Sequence, residues 1–187
     1  CLSSCSGFIK WQASEPPEGN RFEPYGLHVD SPTPDPVPMT PLTVANTNFL
    51  LTDFGDWDDA PMVIARGSHR EGRNPLPADA QRMEAWYAPK GSIVVFGGAL
   101  QHGSISRAKA GMRVSINTYF CQPYITPQEH LQGQFPEFAE RGKLAAQLAW
   151  QHARQGWGVH GPAFMRTPFA KTKRPEDGYG LIPKAQH

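Results

Sequence analysis

Gly91-Ser92-Ile93-Val94-Val95-Phe96 is a short, continuous apolar run, with Gly97-Gly98 directly behind it. Its length and its β-branched residues read as a buried strand rather than a helix. Downstream, Ser104–Gly111 reads as a turn, and Met112–Tyr124 as a long strand expected to return beside the first. Upstream, Gly7–Ser14, Tyr25–Asp30, Leu42–Phe54 and Met62–Ala65 read as further short strands separated by polar or Gly/Pro breaks. Ser31–Pro41 carries five prolines, so it is a stiff loop and a plausible pocket wall rather than a central strand. This pattern predicts a mainly β fold, an antiparallel barrel or jelly roll.

Two helices are expected. Asp79–Trp86 reads as a short one. Phe135–Gln155 is Ala-rich, with Phe138, Leu144 and Leu148 at helical spacing, and reads as the best helix in the chain. Gly and Pro return from Gly156, so Phe164–His187 reads as an extended tail. The expected organisation is a β core over 1–134 and a helix with a tail over 135–187 packing on it.

Composition narrows the function classes. With 187 residues the chain can bury a substantial core. Eighteen basic and 17 acidic residues leave a formal charge of +1, which gives no electrostatic case for nucleic acid or an anionic membrane. No apolar run approaches the roughly 18 residues of a membrane span. The start, Cys1-Leu2-Ser3-Ser4-Cys5, lacks the pattern of a signal peptide. Cysteines at 1, 5 and 121 form neither a disulfide framework nor a zinc pattern, and a reducing, cytoplasmic setting is expected.

The residues with chemical promise are dispersed. His28 and Asp30 stand at i and i+2 on an expected strand, so both side chains would share a face. With 7 His and 17 acidic residues, chance alone supplies on the order of one such pair. His69-Arg70-Glu71 is a second instance, between glycines and arginines, and reads as a solvated turn. His102 follows the buried strand and the glycine pair. Alone it would read as a hydrogen-bonded core or surface histidine; together with His28 and Asp30 it completes a set of two imidazoles and one carboxylate, which suits Fe(II) with coordination positions left open. Arg113 and Ser115 share a face of the long strand. They read either as a surface ion pair or, given Val114, Ile116 and Tyr119 around them, as an inward fork for a dicarboxylate. Lys10 or Gln12 on the first strand can face the same ligand, though a structural role is the simpler reading. Asn46 and Asn48 either contact the co-substrate or satisfy interior polar groups. Trp57, Trp86, Tyr119 and Cys121 read as packing.

His28-Val29-Asp30, Gly67-Ser68-His69, His102-Gly103-Ser104 and an Arg eleven residues past His102 together resemble the phytanoyl-CoA dioxygenase family, over about Phe8 to Tyr124. The resemblance implies a double-stranded β-helix core and oxygenase activity with Fe(II), 2-oxoglutarate as co-substrate and O2. It implies iron ligands at His28, Asp30 and His102, and a 2-oxoglutarate anchor at Arg113 with Ser115 as its partner. The family's Pro-Gly-Ser-His reads Arg66-Gly67-Ser68-His69 here, and its Asn after the His-Gly-Ser turn is replaced near Ser106 or Arg107. Family members carry more chain before the His-x-Asp pair than the 27 residues found here, so a missing N-terminal part is expected. The expected reaction is hydroxylation of a C–H bond in a small organic substrate, with acyl-CoA admitted through Arg66, Arg70 and Arg73. A carboxylate at position 30 argues against a halogenase. The rivals are a cupin-like metal-binding protein without oxygenase activity and a β-sandwich whose His and Asp are incidental.

Overall fold

The computed structural model describes residues 1–16, 21–31, 42–122, 125, 127–129, 134–138 and 140–149. The chain forms two compact units, Cys1–Leu131 and Gln132–His187. Among its described residues the first contains eight strands: β1 (Leu2–Trp11), β2 (Tyr25–His28), β3 (Val44–Leu50), β4 (Met62–Ile64), β5 (Glu84–Ala85), β6 (Ile93–Gly97), β7 (His102–Ser104) and β8 (Met112–Cys121). They form two four-stranded sheets, ordered β1-β8-β3-β6 and β2-β7-β4-β5, and every pairing is antiparallel. The chain passes from one sheet to the other at almost every connection, which is the double-stranded β-helix, or jelly roll.

Leu50, Phe54, Met62, Val94 and Phe96 form one core cluster, with contributions from β3 and β6 of one sheet and β4 of the other. Ala60, Val63, Ala65, Met83 and Ile105 form a second. Met62 and Val63 are neighbours on β4 and fall in different clusters, as strand alternation requires. Truncating a fully buried side chain such as Leu50 to Ala would cost about 2–5 kcal/mol.

Several expectations need correction. The run Ile93–Phe96 is not buried on both faces. Val94 and Phe96 are inside, but Ile93 and Val95 are 59% and 61% exposed, because β6 is an edge strand with one open face. The long strand β8 does not lie beside β6; β3 sits between them, and the intervening β7 belongs to the other sheet. The expected strand from Gly7 begins at Leu2, where pairing with β8 overrides the weak strand propensity of Ser3-Ser4-Cys5-Ser6. Residues 79–86 split into a 3-10 turn (Pro77–Arg82) and β5. The expected helix over 135–155 is interrupted: a 3-10 turn at Pro136–Phe138 is followed by α1 (Lys143–Leu148), and Gly142 between them has φ +104°, a value incompatible with a continuous helix. Residues 32–41 of the proline-rich loop, 150–155 and the tail lie outside the described residues. No helix among the described residues is long and apolar enough to cross a membrane.

Candidate metal centre

Two strands and one bend converge on a single point. His28 ends β2, His102 begins β7, and the two are register partners. Their ring centroids are 4.2 Å apart. Asp30 lies between them, with Oδ1 3.4 Å from His28 Nε2 and Oδ2 3.4 Å from His102 Nε2. One ligand atom from each residue lies within 4.8 Å of the others, and among the described residues this is the one such group of three His, Cys, Asp or Glu side chains.

Each imidazole is oriented the same way. His28 Nδ1 meets Gly26 O at 2.6 Å, and His102 Nδ1 meets Leu100 O at 2.9 Å. A carbonyl only accepts, so Nδ1 carries the proton in both rings. In the neutral ring Nε2 is then a bare lone pair, aimed at a carboxylate oxygen that is also a lone pair. Such a contact is unfavourable unless the ring is protonated or a cation lies between. The hydrogen bond to Asp30 holds the His28 pKa up, against its partial burial. Burial pushes His102 down despite the nearby carboxylate, which disfavours a proton there. Burial works to raise Asp30, but the His28 hydrogen bond, the charges of His102 and His28, and Asn46 leave it lowered. An ionised carboxylate between two Nε2 lone pairs is a donor set that fits a divalent cation with nitrogen and oxygen preference.

The surroundings fix this geometry. Asp30 is not on an extended strand with His28, as the His-x-Asp spacing predicts: β2 stops at His28, and Asp30 lies in a bend. The amides of Asp30 and Ser31 both donate to Gly98 O, at 2.8 and 3.0 Å, and this pair of bonds pulls the chain out of the strand. A Cβ at Gly98 would sit 2.0 Å from Val44 Cγ2 and 2.8 Å from Ser31 Oγ, so only glycine fits. Asn46 donates from Nδ2 to Asp30 Oδ2 at 2.6 Å, and Tyr119 donates its hydroxyl to Asp30 O at 3.1 Å. On the other side, Gln101 is fully buried; its amide donates to Ser68 Oγ, and its side chain donates to Glu71 Oε2 and Arg73 O. Arg73 is in turn held by Asp79 at 2.7 and 3.0 Å. The Gly67–Arg73 segment therefore buttresses the start of the strand carrying His102, a role its polar sequence does not announce.

The three residues border a cavity of about 260 Å³ also lined by Ser4, Ser6, Asn46, Asn48, Arg113 and Asn117. Arg113 is 6% exposed, its Nε has no hydrogen-bond partner, and its guanidinium pairs with no carboxylate among the described residues. Its Cζ stands 4.7 Å from the Phe54 ring centroid. Burial lowers its pKa to about 10, with Tyr25 acting upward and Arg107 downward. A buried cation without a counter-ion is costly, and a ligand carboxylate entering the cavity would supply the missing charge.

The sequence-derived candidates are therefore distributed as follows. His28, Asp30, His102 and Arg113 line one cavity. Ser115 is fully buried, does not line the cavity, and donates its hydroxyl to Asn117 Oδ1 at 3.0 Å, so it meets the cavity through Asn117. His69 is exposed in a 3-10 turn, away from the cluster. Arg66 forms an exposed ion pair with Glu84. Asn46 supports Asp30, and Asn48 donates to Met62 Sδ at 3.6 Å. Sequence reasoning does not find Ser4, Ser6, Asn117 or Gln128 in the lining. Strand alternation, which puts Asn117 on the face of β8 shared by Arg113 and Tyr119, is the available signal for Asn117, whereas Gln128 has none.

No protein-family model matches the chain, and comparison with curated proteins finds no match. Solved structures do match. AviO1 from Streptomyces viridochromogenes Tue57 aligns over 68% of this chain and 53% of its own, with a TM-score of 0.52 and 22% identity. HygX from Streptomyces hygroscopicus with nickel and 2-oxoglutarate bound aligns over 68% of this chain and 60% of its own, with a TM-score of 0.51 and 15% identity. HygX with nickel, 2-oxoglutarate and hygromycin B bound gives a TM-score of 0.51 at 14% identity, over 68% and 58% of the two chains. This chain thus spans between half and two thirds of the length of these proteins, and at such identities the likeness is one of fold.

Proposed function

We propose that this chain carries the catalytic core of an Fe(II)- and 2-oxoglutarate-dependent oxygenase of the phytanoyl-CoA dioxygenase type, hydroxylating a C–H bond of a small organic molecule. The observation that carries the reading is the pairing of a two-imidazole, one-carboxylate cluster with a buried Arg113 that lacks a counter-ion, both on one cavity wall. His28, Asp30 and His102 would hold the metal, and Arg113 the distal carboxylate of 2-oxoglutarate. The bound metal and co-substrate would supply O2 activation coupled to decarboxylation. The chain's residues orient and exclude: the Gly26 and Leu100 carbonyls fix the imidazoles, Asn46 and Tyr119 fix Asp30, and Phe54 and Phe96 shield the inner wall. HygX, of the same fold, binds 2-oxoglutarate with nickel and also hygromycin B, which supports a small-molecule substrate here. The hydroxyl and amide groups of Ser4, Ser6, Asn48 and Asn117 favour a hydroxyl-rich one.

The test is 2-oxoglutarate turnover. Protein loaded with Fe(II) should convert 2-oxoglutarate to succinate in the presence of O2, slowly alone and faster with an accepted member of a polyol and glycoside panel. A protein that binds Fe(II) stoichiometrically but neither binds nor consumes 2-oxoglutarate would instead be the cupin-like metal binder.

A further inference from the structure

Among the described residues, Met62 supplies the one sulfur in the lining of the cavity that holds the His28, Asp30 and His102 cluster. On β4, Met62 and Ile64 share a face, and Ile64 is the register partner of His102 on β7. Met62 is therefore the diagonal neighbour of His102. That relation puts the Cβ atoms about 7–8 Å apart, within reach of a long side chain. Phe96 joins the two: it packs with Met62 in one core cluster, and its ring centroid stands 4.9 Å from that of His102. From the other sheet, Asn48 Nδ2 donates to Met62 Sδ at 3.6 Å. Asn48 is buried, and a thioether is a weak acceptor for a buried amide. The bond holds the sulfur on the cavity wall, and the sulfur keeps a second lone pair.

We propose that Met62 is a self-oxidation site: when turnover proceeds with no substrate in the cavity, one oxygen atom goes to the Met62 sulfur. This goes beyond the oxygenase reading and rests on it. The step balances. 2-Oxoglutarate, O2 and the thioether become succinate, CO2 and the sulfoxide. One atom of O2 enters the new succinate carboxylate, and the other forms the S–O bond. Decarboxylation of the keto acid supplies two of the four electrons that O2 takes up, and the sulfur supplies the other two. No net proton is gained or lost. A thioether is easier to oxidise than the aliphatic and aromatic side chains packed with it, Leu50, Phe54, Val94 and Phe96. The sulfoxide oxygen is also a stronger acceptor than the sulfur it sits on, and Asn48 Nδ2 is already in place to donate to it. The product is a polar side chain where an apolar one lined the cavity.

The chain carries its own controls. Adventitious oxidation of methionine follows exposure. It would reach Met112 on β8 first, at 48% exposed, and Met62 and Met83 last, at 9% and 8%. Delivery from the cavity inverts that order. It also separates Met62 from Met83, which is as buried but belongs to the other core cluster and does not line the cavity.

The experiment supplies Fe(II)-loaded protein with 2-oxoglutarate and isotope-labelled O2, with catalase present to remove peroxide, and maps the label by peptide mass spectrometry. Labelled sulfoxide at Met62 should exceed that at Met83 and Met112 roughly tenfold or more, and should vanish when 2-oxoglutarate is omitted. Succinate formation with Met62 unmarked, or marked less than Met112, overturns the proposal and leaves the oxygenase reading standing. Absence of succinate removes the oxygenase reading, and this proposal with it. A second measurement needs no turnover: methionine-methyl NMR of Co(II)-loaded against Zn(II)-loaded protein, without O2. Paramagnetic shifts fall with the inverse cube of distance, so the Met62 methyl should move more than those of Met83 and Met112. A larger shift at either of those two overturns the proposal whatever the succinate assay gives.

Discussion

The carbonyl of Gly98 receives the amide of Asp30 at 2.8 Å, so a residue just past the end of β6 positions a carboxylate that faces two histidines of the other sheet. Gly98→Ala tests this directly. The new methyl group would collide with Val44 and Ser31, forcing the bend that carries Asp30 to move. Overpacking of this kind costs about 1–3 kcal/mol. The expected result is a folded protein of lower melting temperature with greatly weakened divalent-metal binding, read by thermal denaturation and metal titration. Unimpaired metal affinity would show that Asp30 does not depend on this contact.

The ligand set has an internal control. His28→Ala and His102→Ala should each abolish stoichiometric Fe(II) binding, measured by metal analysis after desalting. His69→Ala should leave it intact, because His69 is exposed and outside the cluster. The reverse pattern would transfer the site to the Gly67–Arg73 segment.

Asn46 acts through Asp30. Removing a hydrogen-bond partner of a metal-binding carboxylate commonly costs about 10–100-fold in metal affinity. Asn46→Leu should show that loss with only a modest change in melting temperature, since the substitution replaces a buried amide with an apolar group of similar volume. Equal metal affinity in Asn46→Leu and wild type would assign Asn46 to the cavity lining alone.

Arg113→Leu should retain the metal and lose 2-oxoglutarate. A charge-assisted contact is worth about 1.5–3 kcal/mol, so a ten- to hundredfold rise in Kd is expected. Arg113→Lys should recover part of it, lacking the planar fork. Competition by succinate in a Ni(II)-loaded sample reads both variants.

Lys10 leaves a mark on folding. Its pKa lies at about 7 in the folded protein against the ordinary lysine value of 10.5, because burial disfavours the ammonium. Between these values the unfolded chain binds the extra proton, so this residue's contribution makes the ligand-free protein more stable as pH rises, and the gain levels off above the unfolded value. Below about 7 both states are protonated and the full penalty applies. Lys10→Met should therefore be more stable than wild type in neutral to mildly acidic solution, with the difference shrinking as pH rises. A stability difference that stays constant across the pH range would refute this.

Most of the candidate site is legible in the sequence because it is built from residue types that are costly to bury without purpose. His28, Asp30, His102 and Arg113 stand out from spacing and neighbourhood, and the jelly roll follows from short strands with regular breaks. The supports are not legible. Gly98 acts through a main-chain oxygen, Leu100 and Gly26 do the same, and a carbonyl carries no side-chain signal. The start of β1 escapes sequence reading because Ser and Cys have little strand preference and their pairing with β8 is a long-range property. Ile93 and Val95 read as buried because an apolar run does not say which sheet face is open. The break before α1 depends on one glycine, whose backbone freedom outweighs the helical periodicity around it.

The division of the proposed ligands between the sheets has a mechanical side. His28 and His102 belong to β2 and β7, while Asp30 hangs from the chain just beyond β6. An ion gripped by all three is therefore a cross-link between the two layers, closing a loop of about seventy residues between Asp30 and His102, and long loops are where closure constrains the unfolded chain most. Any affinity for the metal reappears as resistance to unfolding, about 2.7 kcal/mol when free metal stands at a hundred times its Kd. The jelly roll would behave as a hinged clasp, open to breathing between its layers when empty and locked when the ion is in place, so that amide exchange along β2 and β7 should slow on metal addition far more than along β1.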